Sequence, residues 1–106
     1  MSDEMRVEPI YAIVRYRLKP EYVEGAQVQS ADLYAELGVD GPDWLRQASF
    51  ELDDRGGVLT IVQLERDPSA LRDLEPFQRH RGALAERCQE PPTTTPVRLL
   101  GAYRLF

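Results

Sequence analysis

The sequence is poor in the residues on which chemistry most often depends. Its 106 residues include one cysteine, Cys88, one histidine, His80, one tryptophan, Trp44, and no asparagine. A single cysteine cannot close an internal disulfide, so nothing points to an oxidising compartment. One histidine and one cysteine are too few soft ligands for a zinc site, and no metal is expected. No apolar run approaches the roughly 20 residues of a membrane span, so no membrane partner is expected. The opening "MSDEMRVE" has no basic stretch followed by an apolar one and does not read as a secretory signal. A cytoplasmic location is the expectation. Positive charge is short too: 13 Lys and Arg against 18 Asp and Glu give a net charge of −5. An acidic domain with scattered arginines repels phosphate backbones, which argues against nucleic acid as a partner. There is no glycine-rich phosphate loop, no GxSxG elbow, no HExxH and no internal repeat.

What is present is an ordinary globular composition, 42% hydrophobic and 29% charged. Residues 1–6 read as a disordered N-terminal tail and 7–106 as a single domain. "VEPIYAIVRYRLK" (7–19) is a strand by its β-branched and aromatic content. It puts Ile10, Ala12, Val14, Tyr16 and Leu18 on one face, with Tyr11, Ile13, Arg15 and Arg17 on the other. Pro20 starts a helix, with Glu21 and Glu24 at its positive end, and Gly38 is the expected C-terminal cap. Its apolar stripe holds Val23, Ala26, Ser30, Leu33, Tyr34 and Leu37. "LRQASFELD" (45–53) alternates Ala48, Phe50 and Leu52 against Gln47, Ser49 and Glu51. "DRGG" turns the chain into a second strand, "VLTIVQLE" (58–65). Asp67 caps a short helical turn at Pro68, and Pro76 opens the main second helix, which "PP" stops near Glu90. "TTT" (93–95) reads as a loop and "PVRLLGAYRLF" (96–106) as the last strand.

This order is the α+β, ferredoxin-like βαββαβ arrangement: a four-stranded antiparallel sheet with both helices on one face. The other face should be polar if it meets water. Instead Tyr11 and Ile13, Leu59 and Ile61, and Val97, Leu99, Tyr103 and Leu105 recur on neighbouring strands. Only the second strand alternates cleanly. A contiguous apolar patch needs cover. The expected cover is the same sheet face of a second copy, packed face to face into a homodimer.

Through "YAIVRYRLKPEY", the strand pair "LRQASFELDD…GVLTIVQLE", the "F…LAERC" helix and "LLGAYRLF", the chain resembles the dimeric α+β barrel superfamily. More narrowly, it resembles the antibiotic-biosynthesis-monooxygenase-like proteins, from about Val7 to Phe106. These are fold-level patterns rather than a catalytic signature. The resemblance implies a cofactor-independent monooxygenase acting on a small aromatic or quinol-type substrate, with no cofactor. Other branches degrade haem or have no assigned role, so fold alone does not settle function. The chain departs from the better understood branches. The asparagine they commonly place in the pocket is missing. Where haem degraders carry a tryptophan on the third strand, Gln63 stands, and Trp44 precedes the second strand. Haem degraders also use a histidine of the second helix, to which the offset of His80 from Phe77 does not clearly correspond.

On the helical wheel of "PFQRHRGALAERC" (76–88), Phe77, Leu84 and Cys88 centre the apolar stripe. His80 falls at its border, about 60° to one side, and Arg81 nearer the middle, about 40° to the other. His80 is either a boundary histidine with one nitrogen wet or a proton-exchanging catalytic group. Arg81 is either a snorkelling side chain or an anion anchor with a catalytic part. Cys88 reads as a core residue, about 12 Å from His80 along the axis and too far to pair with it. The small Ala26 and Ser30 leave room between helices and sheet. That room is either packed core or an aromatic-lined pocket for a small aromatic ligand, bordered by substrate-binding Tyr16, Ser30 and Tyr34. Two functions stay open: the monooxygenase with His80 and Arg81 at its site, or a non-enzymatic small-ligand-binding or structural dimer module.

Overall fold

The computed structural model describes residues 8–52 and 56–105. The expected tail at 1–6, Val7 and Asp53 at the ends of two expected strands, Asp54 and Arg55 of the expected turn, and Phe106 lie outside the described residues. In chain order the elements are β1 (Ile10–Arg17), a 3-10 turn (Pro20–Tyr22), α1 (Ala26–Asp40), β2 (Leu45–Glu51), β3 (Gly57–Leu64), α2 (Pro68–Arg72), α3 (Glu75–Arg87) and β4 (Thr93–Val97). The strands form one sheet in the order β2-β3-β1-β4, every neighbour antiparallel. This is the ferredoxin-like arrangement read from the sequence. No helix among the described residues is long and apolar enough to cross a membrane.

Register assigns the faces. Tyr16 pairs with Val58, Val14 with Thr60 and Ala12 with Val62 across β1 and β3. Leu18, Val58, Leu84 and Cys88 form the core cluster, with Tyr16, Val23 and Ala26 packed against it. The even-numbered positions of β1 and β3 therefore face the helices. The end of α3 is stitched to the end of β1: Lys19 N donates to Arg87 O at 2.8 Å and Gln89 N to Arg17 O at 2.9 Å. At the hairpin, Gly56 has φ +97°, a conformation that glycine alone adopts without steric cost, and its carbonyl accepts from Leu18 N at 2.8 Å. Asp67 caps α2 as the sequence indicates, accepting from Ser69 N at 2.9 Å.

Several boundaries differ from the sequence reading, among them the main second helix, which ends at Arg87 rather than near Glu90. The first helix does not start at Pro20. A 3-10 turn comes first, and Gly25, costly inside a helix, sits at the break before α1. That helix runs past Gly38 and ends at Gly41, whose N–H donates to Leu37 O at 2.8 Å. The last strand is 93–97 rather than 96–106, so "TTT" is strand and not loop. Thr93–Val97 pair with Arg15–Tyr11. One step further the ladder would reach Ile10 and then Pro9, which has no N–H to give. Pro96 is tolerated because β4 is an edge strand. Beyond Val97 the chain runs off the sheet, leaving Leu100 93%, Tyr103 81% and Leu105 63% exposed.

The two glycines near the end of α1 should respond oppositely to alanine. A Cβ on Gly41 would lie 2.2 Å from Leu37 O, whereas one on Gly38 meets nothing within 4 Å. Gly41→Ala should cost about 1–3 kcal/mol by forcing the backbone apart. Gly38→Ala, inside the helix, should stabilise by about 0.5–1 kcal/mol. Urea unfolding of both variants checks the sign.

Candidate functional site

The alternation of β2 is present, and its polar side points inward. Ser49 pairs with Thr60 and Gln47 with Val62, so Gln47 and Ser49 share the helix-covered face with Val14 and Tyr16. Ala48 and Phe50 occupy the open face, where Phe50 is half exposed. Beneath α1, Tyr34 Oη lies 2.8 Å from Ser49 Oγ, and Ser49 Oγ lies 2.8 Å from Thr60 Oγ1. Gln47 Nε2 donates to Tyr34 Oη at 3.2 Å. Buried polar groups cost free energy unless hydrogen-bonded, and this strip satisfies most of its own. Gln47 Oε1 is the exception: it is closed to solvent and has no hydrogen-bond partner among the described residues.

Tyr16 lies beside this strip. Burial first, then the neighbouring Cys88 and Tyr34, push its hydroxyl up to about 12. It is therefore a neutral phenol at any working pH. Tyr34 and Ser30 are half-buried one helical turn apart on α1. Of the residues singled out from the sequence, Tyr16 and Tyr34 are brought within electrostatic reach of each other.

His80 and Arg81 exchange the places the wheel gave them. His80 is half-buried and Arg81 is exposed. The wheel centred the stripe on Phe77, Leu84 and Cys88 alone. In the structure Ala83 and Arg87 are also half-buried, which turns the buried arc away from Arg81 and towards His80. The snorkelling arginine is Arg87, whose guanidinium lies over the Tyr22 ring, 5.6 Å from its centroid. Burial, with a smaller push from Arg87, lowers the pKa of His80 below its ordinary 6.5. Burial pushes the Cys88 thiol up, as suits a core residue. Among the described residues no three of His, Cys, Asp and Glu cluster as metal ligands would. A shallow groove lined by Glu8, Ile10, Tyr11, Val97 and Leu99 lies where β1 begins and β4 ends, and includes none of these residues.

The strip, rather than the lone histidine, is what sequence reasoning missed. Ser30 and Tyr34 were singled out for their place on the stripe; Gln47, Ser49 and Thr60 were not. Their signal was parity. A strand in a helix-covered sheet must send one face inward, and Ser49 and Thr60 flank the hairpin at positions that pair.

The comparisons with known proteins bear on this geometry at the level of fold. A protein from Nitrosomonas europaea provisionally assigned as an antibiotic biosynthesis monooxygenase superposes with a TM-score of 0.75 at 15% identity, covering 90% of this chain and 93% of its own. Rv0793 from Mycobacterium tuberculosis superposes with a TM-score of 0.72 at 18% identity, covering 90% and 98%. A further antibiotic biosynthesis monooxygenase gives 0.68 at 14%, covering 87% and 99%. The chain has the fold of these structures. Neither a family model nor a curated protein matches the sequence. The resemblance seen in the sequence thus holds for the fold, across nearly the whole length of these structures.

The state of His80 gives a pH signature. Its folded pKa is depressed, so below 6.5 the unfolded chain takes up a proton that the folded protein resists. The stability due to the neutral ring is complete above about 6.5 and is lost as pH falls through the lower folded value. Urea midpoints between pH 7.5 and 5.0 should fall more in the wild type than in His80→Gln. Equal slopes would place the ring in water.

Proposed function

We propose that the protein is a cofactor-independent monooxygenase-like enzyme for a small quinol-type aromatic, working as a homodimer. The observation that supports this most is the half-buried His80, held neutral at physiological pH on the helix that covers the sheet. A neutral imidazole can take the proton of a phenolic hydroxyl, and partial burial keeps the resulting anion from being quenched by water. The electron-rich ring then reacts with oxygen. One oxygen atom enters the ring in place of hydrogen, the other leaves as water, and the quinol becomes a hydroxyquinone. The substrate supplies all four electrons. Tyr16, Ser30 and Tyr34 would border the ring, and the exposed Arg81 would act at the rim, drawing in negative charge without holding it.

The dimer is supported by the open face. Tyr11, Ile13, Leu59 and Ile61 lie there half-buried, Phe50 and Val97 are exposed beside them, and the segment after Val97 leaves its large apolar side chains in water. A second copy related by a twofold axis would cover both surfaces, burying on the order of 1,600 Å² or more.

Oxygen-electrode assays with naphthohydroquinones decide the chemistry. The wild type should consume oxygen and form hydroxyquinone above the autoxidation blank. His80→Ala should lower turnover by about 10²-fold or more and flatten its pH profile, and Arg81→Ala should stay within about twofold. In the same preparations, sedimentation should show a dimer that Ile13→Glu weakens. A dimer without oxygen uptake from any quinol leaves the ligand-binding or structural module as the reading.

A further inference from the structure

We infer that the strip beneath α1 is the anchor for a neutral hydroxyl of the ligand, with Gln47 as the residue that reads it. The inference rests on the proposed ligand site and adds to it a contact that helix periodicity did not suggest. The hydroxyls of Tyr34, Ser49 and Thr60 form a chain of two contacts, and Gln47 Nε2 donates to its Tyr34 end. In this orientation Gln47 Oε1 is buried without a partner. Turning the amide over lets Oε1 accept from Tyr34, but then the NH2 group takes the orphaned place. Neither orientation satisfies both ends. A buried orphan of this kind costs about 1–3 kcal/mol, so the arrangement is one group short.

The chemistry of the strip selects that group. It must donate to Oε1 in one orientation or accept from NH2 in the other, and a hydroxyl does both. The strip itself contains only hydroxyls and an amide, and the neighbouring Tyr16 is a neutral phenol. An anion placed there would be desolvated with no cation in the strip to pair it. Arg81, the cation favoured by the wheel, is exposed on α3. A neutral phenolic hydroxyl therefore fits, and a carboxylate does not. Entry requires Gln47 or α1 to move, because Oε1 is closed to solvent. Leu33 is the one buried residue of that helix, and Ala26 packs half-buried against the core cluster.

The test uses three probes of one shape on the intact protein: 1-naphthol, 1-methoxynaphthalene and 1-naphthoate. Binding is followed by nuclear magnetic resonance, reading the Gln47 side-chain amide and the backbone amides. The naphthol should shift the Gln47 amide and bind at least about fivefold tighter than either analogue, the worth of one hydrogen bond. Gln47→Met should remove that advantage and leave the affinity for 1-methoxynaphthalene within about twofold. Should Gln47→Met fail to fold, Gln47→Leu and the wild-type ranking decide. Equal affinities, no binding of naphthol at millimolar concentration, or binding that leaves the Gln47 amide unmoved would each overturn the anchor. The two readings fail separately. Naphthol seated at Gln47 in a protein inert towards quinols removes the oxygenase alone. Quinol-driven oxygen uptake with an unmoved Gln47 amide removes the anchor alone.

Discussion

The structure depends on one constraint: the edge strand β2 turns its polar side towards the helices. Strand pairing enforces this. Once Tyr16 and Val58 face the core, register carries Thr60, Ser49 and Gln47 to the same side. A one-residue slip would bury Ala48 and Phe50 and expose the polar set, which hydrophobic burial alone would favour. The slip is opposed by the rest of the sheet, where Val62 and Leu64 are buried on the helix side, and by the hydroxyl contacts that Tyr34 makes across to β2. The first helix is thus held by Leu33, by Ala26 against the core cluster, by the exposed Glu36–Arg79 ion pair to α3 and by a polar seam, which makes its seat specific in direction.

The same constraint shapes the outside. With Ala48 and Phe50 sent outward, the open face gains apolar surface at β2 to add to Tyr11, Ile13, Leu59 and Ile61. The segment after Val97 adds more, because Pro9 ends the ladder that would otherwise have absorbed it. One choice of strand parity accounts for both the polar interior and the sticky exterior. The proposed ligand site and the proposed dimer face are then opposite sides of the same strands, so a change in β2 would reach both.

The order of elements, the α2 cap at Asp67 and the stripe of the first helix were legible because each rests on local rules. Helix periodicity and proline placement do not need a partner. The end of β4 was illegible because it is decided by Pro9, far away in sequence, and not by the β-prone "RLLGAYRLF". The ranking of His80 and Arg81 failed for a related reason. The buried arc of α3 includes Ala83 and the stem of Arg87, which only the packing partner selects. The hydroxyl strip lay in plain view as Gln47, Ser49 and Thr60, but polar residues on an edge strand are normally read as solvent-facing. Three polar residues beneath a helix become visible only once the neighbouring strand has fixed which side is in.

The central claim is that Tyr34, Ser49 and Thr60 act as one hydrogen-bonded unit that seats α1 on the sheet. A double-mutant cycle measures this directly. Tyr34→Phe, Ser49→Ala and the pair are unfolded in urea, and the coupling is taken from the three differences. A unit predicts a coupling of about 1 kcal/mol, because the second deletion removes a group that the first has already orphaned. Effects that add to within about 0.3 kcal/mol would contradict it and leave the two side chains as independent neighbours.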